Sequence, residues 1–276
     1  MVTEDAAPPP QRSGGPVIDT SVPHSARIWN FWLGGKDYYE ADRVMGERIL
    51  AHFPEIVENA RANRYFLCRA VRYLVGTAGI RQFLDIGTGL PTVDNTHEIA
   101  QRLAPECRIV YVDNDPLVLA HARALLTSTA EGATDYLDAD VRDTDAILAR
   151  AARTLDLSRP VALMMLGVMQ FVEEDGEAYA TVARLLQALA PGSHLVLSHP
   201  SNALRGERME EGVRQWNAGG GSPRIVLRTQ AEISGLFTGL ELLEPGVGST
   251  GLWRPDLHDS GPPYAGDDFG GVARKV

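Results

Sequence analysis

The 276 residues carry 36 acidic against 26 basic side chains, a formal charge of −10, and are 44% apolar and 22% charged. Such a composition excludes a fibrous or wholly disordered chain, and the acidic balance works against nonspecific attachment to nucleic acid, which favours a small-molecule or protein partner. The two cysteines, Cys68 and Cys107, have no metal-ligand spacing around them, so no metal site is expected and a reduced, cytoplasmic protein is the simplest expectation.

Residues 1–18 include Ala6-Ala-Pro-Pro-Pro10 and Ser13-Gly-Gly15. They hold too little apolar surface to fold and lack the basic and apolar regions of a secretory signal, so a flexible tail is expected. Residues 19–79 read as an N-terminal helical lid or cap. Five aromatics crowd its first part, Trp29, Phe31, Trp32, Tyr38 and Tyr39, around Gly34-Gly35-Lys36-Asp37. They suit either packing on the domain that follows or a lid that holds rings near a cation and excludes water. In the second part Ile56, Ala60, Leu67, Ala70, Val71, Leu74 and Val75 recur mostly at three- and four-residue steps, predicting a half-buried helix that Gly76 and Gly79 end.

From residue 80 strands and helices alternate. Gln82 to Ile86 is a strand, followed by a glycine turn and a helix carrying Ile99, Ala100 and Leu103. Ile109 to Val112 is the second strand, with Val118, Leu119, Ala122, Leu125 and Leu126 on its helix. Tyr136 to Ala139 is the third, with Ile147, Leu148, Ala151 and Ala152 after it. The apolar run Val161 to Met169 is about half the roughly 20 residues of a membrane helix, and so reads as a buried fourth strand. A helix from Gly176 to Leu189 leads through Ala190-Pro-Gly192 to a fifth strand, His194 to Ser198. Such alternation predicts an α/β domain over residues 80–276, with a mostly parallel sheet and helices on both faces. Asn202 to Gln215 and Gln230 to Phe237 look helical, and Leu240 to Leu243 is expected to pair antiparallel with Phe269 to Arg274.

The chemistry gathers at the ends of the first strands. In Asp85-Ile-Gly87-Thr-Gly89 a glycine turn between strand and helix lets backbone approach a ligand, while its carboxylate accepts from a ligand ammonium or orders the loop. The same residues also suit a plain glycine turn. Asp113 ends the second strand, where a carboxylate takes both hydroxyls of a ribose. Asp140 ends the third, poised for an adenine amino group. Asp115 and Pro116 read as the opening of the next helix. His199, just past strand five, and His97 are the candidate proton acceptors, each equally an ordinary histidine, so no catalytic residue is assigned. Lys36 and Arg64 are candidate partners for a ligand carboxylate.

These motifs resemble those of class I methyltransferases: Asp85-Ile-Gly-Thr-Gly89, Tyr111-Val-Asp-Asn-Asp-Pro116, Asp138-Ala-Asp-Val141 and Leu189-Ala-Pro-Gly192. The segments Pro23 to Tyr38, Ala60-Arg-Ala-Asn-Arg64, Gly87 to Thr92 and Gly270-Gly-Val-Ala-Arg-Lys275 are similar to an actinobacterial family of S-adenosyl methyltransferases, over about Asp19 to the end. The resemblance implies a Rossmann-like fold with a seven-stranded, mostly parallel sheet and an antiparallel final strand. It implies S-adenosylmethionine as cofactor, with Gly87 and Gly89 at its methionine part, Asp113 at the ribose, Asp140 and Val141 at the adenine, Leu166 and Gly167 flooring the site, and Asp85 and Asn114 also among the cofactor-binding residues. Pro91 stands where that pattern usually has a third glycine. A sensor that binds the cofactor without turnover is the alternative. A nicotinamide enzyme is a further one, disfavoured because Thr92 stands where its fingerprint needs glycine. The resemblance names neither acceptor nor oligomeric state.

Overall fold

The computed structural model describes residues 18–92, 94–125, 127–257, 259 and 261–276. All but the last residue of the expected tail, and Leu126 of the second predicted helix, lie outside them. Five parallel strands, β1 (Gln82–Ile86), β2 (Arg108–Asp113), β3 (Ala133–Asp138), β4 (Ala162–Leu166) and β5 (His194–Pro200), form most of the sheet. Its order is β3-β2-β1-β4-β5-β8-β6, where β6 is Glu241–Leu242 and β8 is Asp268–Arg274. β8 runs antiparallel to β5 on one side and to β6 on the other, so the expected late pair exists and is also joined to the sheet. A short strand, β7 (Gly248–Ser249), pairs with the start of β8 and was not foreseen.

Period-two alternation decides the two faces. Leu84, Ile86, Val110, Val112, Leu163, Met165, Leu195 and Leu197 pack on one side with α6 (Thr144–Ala151), α7 (Asp175–Gln187) and α9 (Gln230–Gly235). Phe83, Ile109, Tyr111, Met164 and Val196 face the other, against α3 (Ile56–Gly76) and α4 (Thr96–Leu103). The α3 stripe of Phe66, Leu67, Ala70, Val71 and Leu74 is buried throughout, which is why a helix half polar in sequence folds firmly onto the sheet. α5 (Pro116–Leu125) follows β2, and Asp115 Oδ1 accepts from the Leu117 amide at 2.8 Å, the helix-opening role expected of it.

The N-terminal aromatic segment is helical. α1 (Ser25–Trp32) and α2 (Glu40–His52) pack on each other and on α8 (Gly206–Ala218) through Ile28, Met45, Ile49 and Trp216. Their joint is polar and buried: Asp42, fully buried, takes Arg27 Nε at 2.9 Å, the His24 amide at 2.9 Å and the Tyr39 amide at 2.8 Å. No helix among the described residues is long and apolar enough to cross a membrane.

The strand order reverses between β1 and β4. In open α/β sheets the crevice outside the carboxyl ends of the strands at such a reversal is where ligands bind. Here it is roofed by α1, α2 and α8.

Candidate functional site

A cavity of about 240 Å3 occupies that crevice. Asp85, Gly87, Gly89, Asp113, Asn114, Leu166 and Gly167, seven of the nine residues expected at the site, line it. Gly87 leaves β1 with φ +77°, Gly89 has φ +65° and Gly167 leaves β4 with φ +63°. All three are in the left-handed region that side chains avoid, so bare backbone faces the cavity on both sides of the reversal. Pro91 stays out of the wall, although its neighbours Leu90 and Thr92 enter it.

The carboxylates are held by backbone and hydroxyl donors. Asp113 Oδ2 accepts from the Gly89 amide at 2.9 Å and Oδ1 from the Asp115 amide at 2.9 Å. Burial pushes its pKa above the ordinary carboxylate range despite these bonds. Asp85, 5% exposed, takes the Thr96 hydroxyl at 2.6 Å and so ties the strand end to the first turn of α4. Burial raises it to about 6. An acid whose folded pKa exceeds its unfolded one binds more protons when folded, so its contribution to stability falls as pH rises from about 4 through 6. Asp85→Asn keeps an acceptor for Thr96 and removes the buried charge. We expect it to be about 2–3 kcal/mol more stable than the parent at pH 7, by the linkage of roughly 1.4 kcal/mol per pKa unit. At pH 4 that advantage shrinks; urea midpoints at the two values measure it.

Asp140 and Val141 do not join the wall. β3 ends at Asp138, two residues before Asp140, whose carboxylate takes Arg142 Nε and Nη2, each at 2.7 Å. Those bonds hold its pKa low against a smaller effect of burial. Asn114 Nδ2 links it to the cavity at 3.4 Å, while Val141 packs against the core.

Neither histidine faces the cavity. His199 is fully buried, and its Nε2 meets Arg228 Nη1 at 2.8 Å. Its Nδ1 lies 2.8 Å from the Pro200 carbonyl, which requires Nδ1 to carry the proton and Nε2 to accept. Burial depresses its pKa to about 3. His97 Nδ1 lies 2.9 Å from the Tyr111 hydroxyl beneath the sheet. Lys36 is exposed, whereas Arg64 lies in the wall and donates to the Asp94 carbonyl at 2.8 Å. Of the five aromatics only Trp29 and Trp32 line the cavity. Phe31 and Tyr38 pack edge to face at 5.1 Å, and Tyr39 lies under Arg27. No metal-binding group of three or more His, Cys, Asp or Glu occurs among the described residues.

Sequence reasoning missed Asn59, Asn63, Gln170 and Asp268, all buried and all in the wall. Two of them left a signal: Asn59 and Asn63 stand one turn apart and interrupt the apolar stripe of α3. Gln170 Nε2 donates to the Gly167 carbonyl at 2.7 Å, which orients the amide and leaves Oε1 without a partner among the described residues.

A family model described as S-adenosyl methyltransferase matches residues 11–276. A solved DUF574 family protein from Streptomyces avermitilis MA-4680 is 44% identical, with a TM-score of 0.89 over 94% of this chain and 100% of that one. A Thermobifida fusca YX protein, described as a candidate methyltransferase, is 41% identical, with a TM-score of 0.84 over 93% of this chain and 96% of the other. An S-adenosylmethionine-dependent methyltransferase from Anabaena variabilis ATCC 29413 shares the fold at 16% identity, with a TM-score of 0.50 over 75% of this chain and 84% of that one. No functionally curated protein matches.

Proposed function

The chain belongs to the S-adenosyl methyltransferase family, and from that premise we propose how its cavity holds S-adenosylmethionine and leaves room for a small-molecule acceptor. The observation that carries the reading is Asp113. A carboxylate offers about four lone pairs, and the Gly89 and Asp115 amides use one on each oxygen. One remains on each, which suits the adjacent hydroxyls of a ribose.

Other features fit the same group. Asp85 and Asp113 outnumber the guanidinium of Arg64 at this end of the wall, which favours a ligand carrying a sulfonium and an ammonium. Gln170 Oε1 is a spare acceptor, and Gly87, Gly89 and Gly167 leave room for the methionine chain. We assign the methionine to these glycines, Asp85 and Leu166, its carboxylate to the Arg64 side, and the adenine to Asn114 with Asp140 and Val141 at the rim. Residues 19–79 act as the helical lid of the domain formed by residues 80–276, with α1 and α2 over the cavity and α3 as their anchor. Cys68 and Cys107 are buried free thiols, which supports a reduced, cytoplasmic setting.

When bound, the cofactor supplies a methyl group already activated for in-line displacement. The chain's task is alignment in a dry site: Asp113 fixes the nucleoside, the glycines admit the chain beside it, and Trp29 and Trp32 exclude water. Calorimetric titration with S-adenosylhomocysteine tests this. The parent is expected to bind one equivalent. Asp113→Ala is expected to bind about a hundredfold more weakly, since each hydrogen bond to a charged group contributes about 1.5–3 kcal/mol. Equal affinity in the two proteins would overturn the assignment.

A further inference from the structure

The cavity wall also includes residues away from the glycine loops assigned to the cofactor. One face of α3 supplies Ile56, Asn59, Asn63, Arg64 and Leu67 to its wall, and at 1.5 Å per residue this row is about 16 Å long. Arg64 and Leu67 lie at the glycine-loop end. Ile56 lies at the other, packed with Trp32, Phe53 and Met209 in a chamber that these residues line. Charged side chains are confined to the cofactor end and to the boundary between the two halves. A chamber of this kind takes an uncharged apolar molecule, and its broad aromatic walls suit rings.

At the boundary two elements are tied together by polar bonds. Asn63 Nδ2 donates to Asp268 Oδ2 at 2.8 Å and lies 2.6 Å from the Ser198 hydroxyl. The Thr250 hydroxyl donates to the same Oδ2 at 2.9 Å, and the Ser198 side chain also hydrogen-bonds the carboxylate. One turn along α3, Asn59 Oδ1 accepts from the Asp267 amide at 3.0 Å. That bond fixes which end of the amide is oxygen and leaves Nδ2, a donor on a residue 2% exposed, without a partner among the described residues. The same wall thus carries an unmet donor on Asn59 and a buried carboxylate on Asp268. A buried amide hydrogen without an acceptor costs about 1–3 kcal/mol, so a ligand that meets it gains what the free protein lacks.

Resting on the cofactor reading above, we propose that the methyl acceptor is an uncharged, ring-bearing molecule with a hydroxyl, held by Asn59 and deprotonated by Asp268. The lone-pair count selects the hydroxyl. Its oxygen has two lone pairs and one hydrogen, so it donates to Asp268, accepts from Asn59 Nδ2, and still has a pair with which to attack. A neutral amine has a single lone pair and cannot both accept from Asn59 and attack. A carboxylate or phosphate would meet Asp268 with like charge. In the transfer, the hydroxyl oxygen forms the new O–CH3 bond while the C–S bond of S-adenosylmethionine breaks with its electron pair leaving on sulfur. The hydroxyl proton passes to the Asp268 carboxylate and afterwards to solvent. A sulfonium and a carboxylate become a thioether and a carboxylic acid, so charge is cancelled within the dry site, which favours the step. Burial holds Asp268 at about 6, close to neutrality, where a general base works best.

The test uses 2-naphthol, 2-naphthylamine and 2-naphthoate, titrated into full-length protein saturated with S-adenosylhomocysteine. The expected order is 2-naphthol tightest, 2-naphthylamine about tenfold weaker and 2-naphthoate about a hundredfold weaker, because only the first satisfies both groups. With S-adenosylmethionine, 2-naphthol is expected to yield 2-methoxynaphthalene. Asp268→Asn is expected to lower kcat about a hundredfold, the usual contribution of a general base, with S-adenosylhomocysteine affinity retained as the check of folding. Asn59→Asp keeps the acceptor for the Asp267 amide, removes the donor, and is expected to abolish the preference for naphthol over naphthylamine. It carries the same test if the Asp268 variant does not fold. Should naphthol fail to bind, should the three probes bind alike, or should Asp268→Asn keep its rate, the proposal is wrong. If S-adenosylhomocysteine itself does not bind the parent, the cofactor reading has failed beneath it.

Discussion

Gly87→Ala is expected to lose S-adenosylhomocysteine binding by about thirtyfold or more, and Gly89→Ala to lose far less, although both glycines have positive φ. The left-handed conformation costs any L-residue roughly 1–2 kcal/mol, so backbone strain alone treats the two alike. Surroundings separate them. A Cβ on Gly87 would stand 2.6 Å from Val168 Cβ and 2.7 Å from its Cγ2, whereas a Cβ on Gly89 would meet nothing within 4 Å. Val168 Cβ is fixed to a backbone that turns immediately after Gly167, so it cannot swing aside as the end of a long side chain would. Relief must come from parting the β1 and β4 loops, the two walls between which the cofactor is proposed to lie. Parallel calorimetry on the two variants gives the comparison. Equal losses would mean that conformational strain, and not this close approach, sets the requirement for glycine.

The second large effect is on stability. Arg228 is 1% exposed and donates to the Met169 carbonyl at 2.9 Å, the Val172 carbonyl at 2.8 Å and His199 Nε2 at 2.8 Å. Its ion pair with Asp175, at 2.9 Å, involves a carboxylate side chain that is 55% exposed and contributes little by itself. Truncation leaves the Val172 carbonyl and an imidazole nitrogen buried without donors, and the Met169 carbonyl with only the Val172 amide at 3.3 Å. Arg228→Ala should therefore cost about 3–5 kcal/mol, seen as a lower urea midpoint. Arg228→Lys is expected to recover only a minor part, because a single ammonium cannot fork to partners on both sides of the turn. The loss also reaches the site. Arg228 braces the turn Met169–Phe171, and Gly167, Val168, Gln170 and Phe171 line the cavity beside it. A midpoint within about 1 kcal/mol of the parent would show that water replaces the guanidinium readily.

His199 shows why chain position misled about proton transfer. It lies near the end of β5, at the sheet edge where ligands gather, as a base should, yet its ring is spent on Arg228 and Pro200 inside the protein. Asp268, which gave no signal in sequence, reaches the cavity because β8 runs antiparallel beside β5 and so begins where β5 ends, opposite Pro200. The strand end expected at Asp140 was misplaced for a related reason. Its acid was visible, but that β3 stops at Asp138 and that Arg142 claims the carboxylate follow from local geometry.

The alternation of strands and helices, the mostly parallel sheet, and the glycine turn with Asp113 after it are legible in the residues alone. Those features are written in local periodicity and in backbone demands that glycine alone meets, so neighbouring residues suffice to read them. What faces the cavity from far along the chain follows from long-range packing. Asn59 on α3 and Asp268 on β8 are more than two hundred positions apart, about three-quarters of the 276-residue chain. Their meeting depends on the insertion of β8 beside β5 and on α3 packing across the same sheet. Only once folded do one side chain's unmet donor and another's buried charge share a cavity wall.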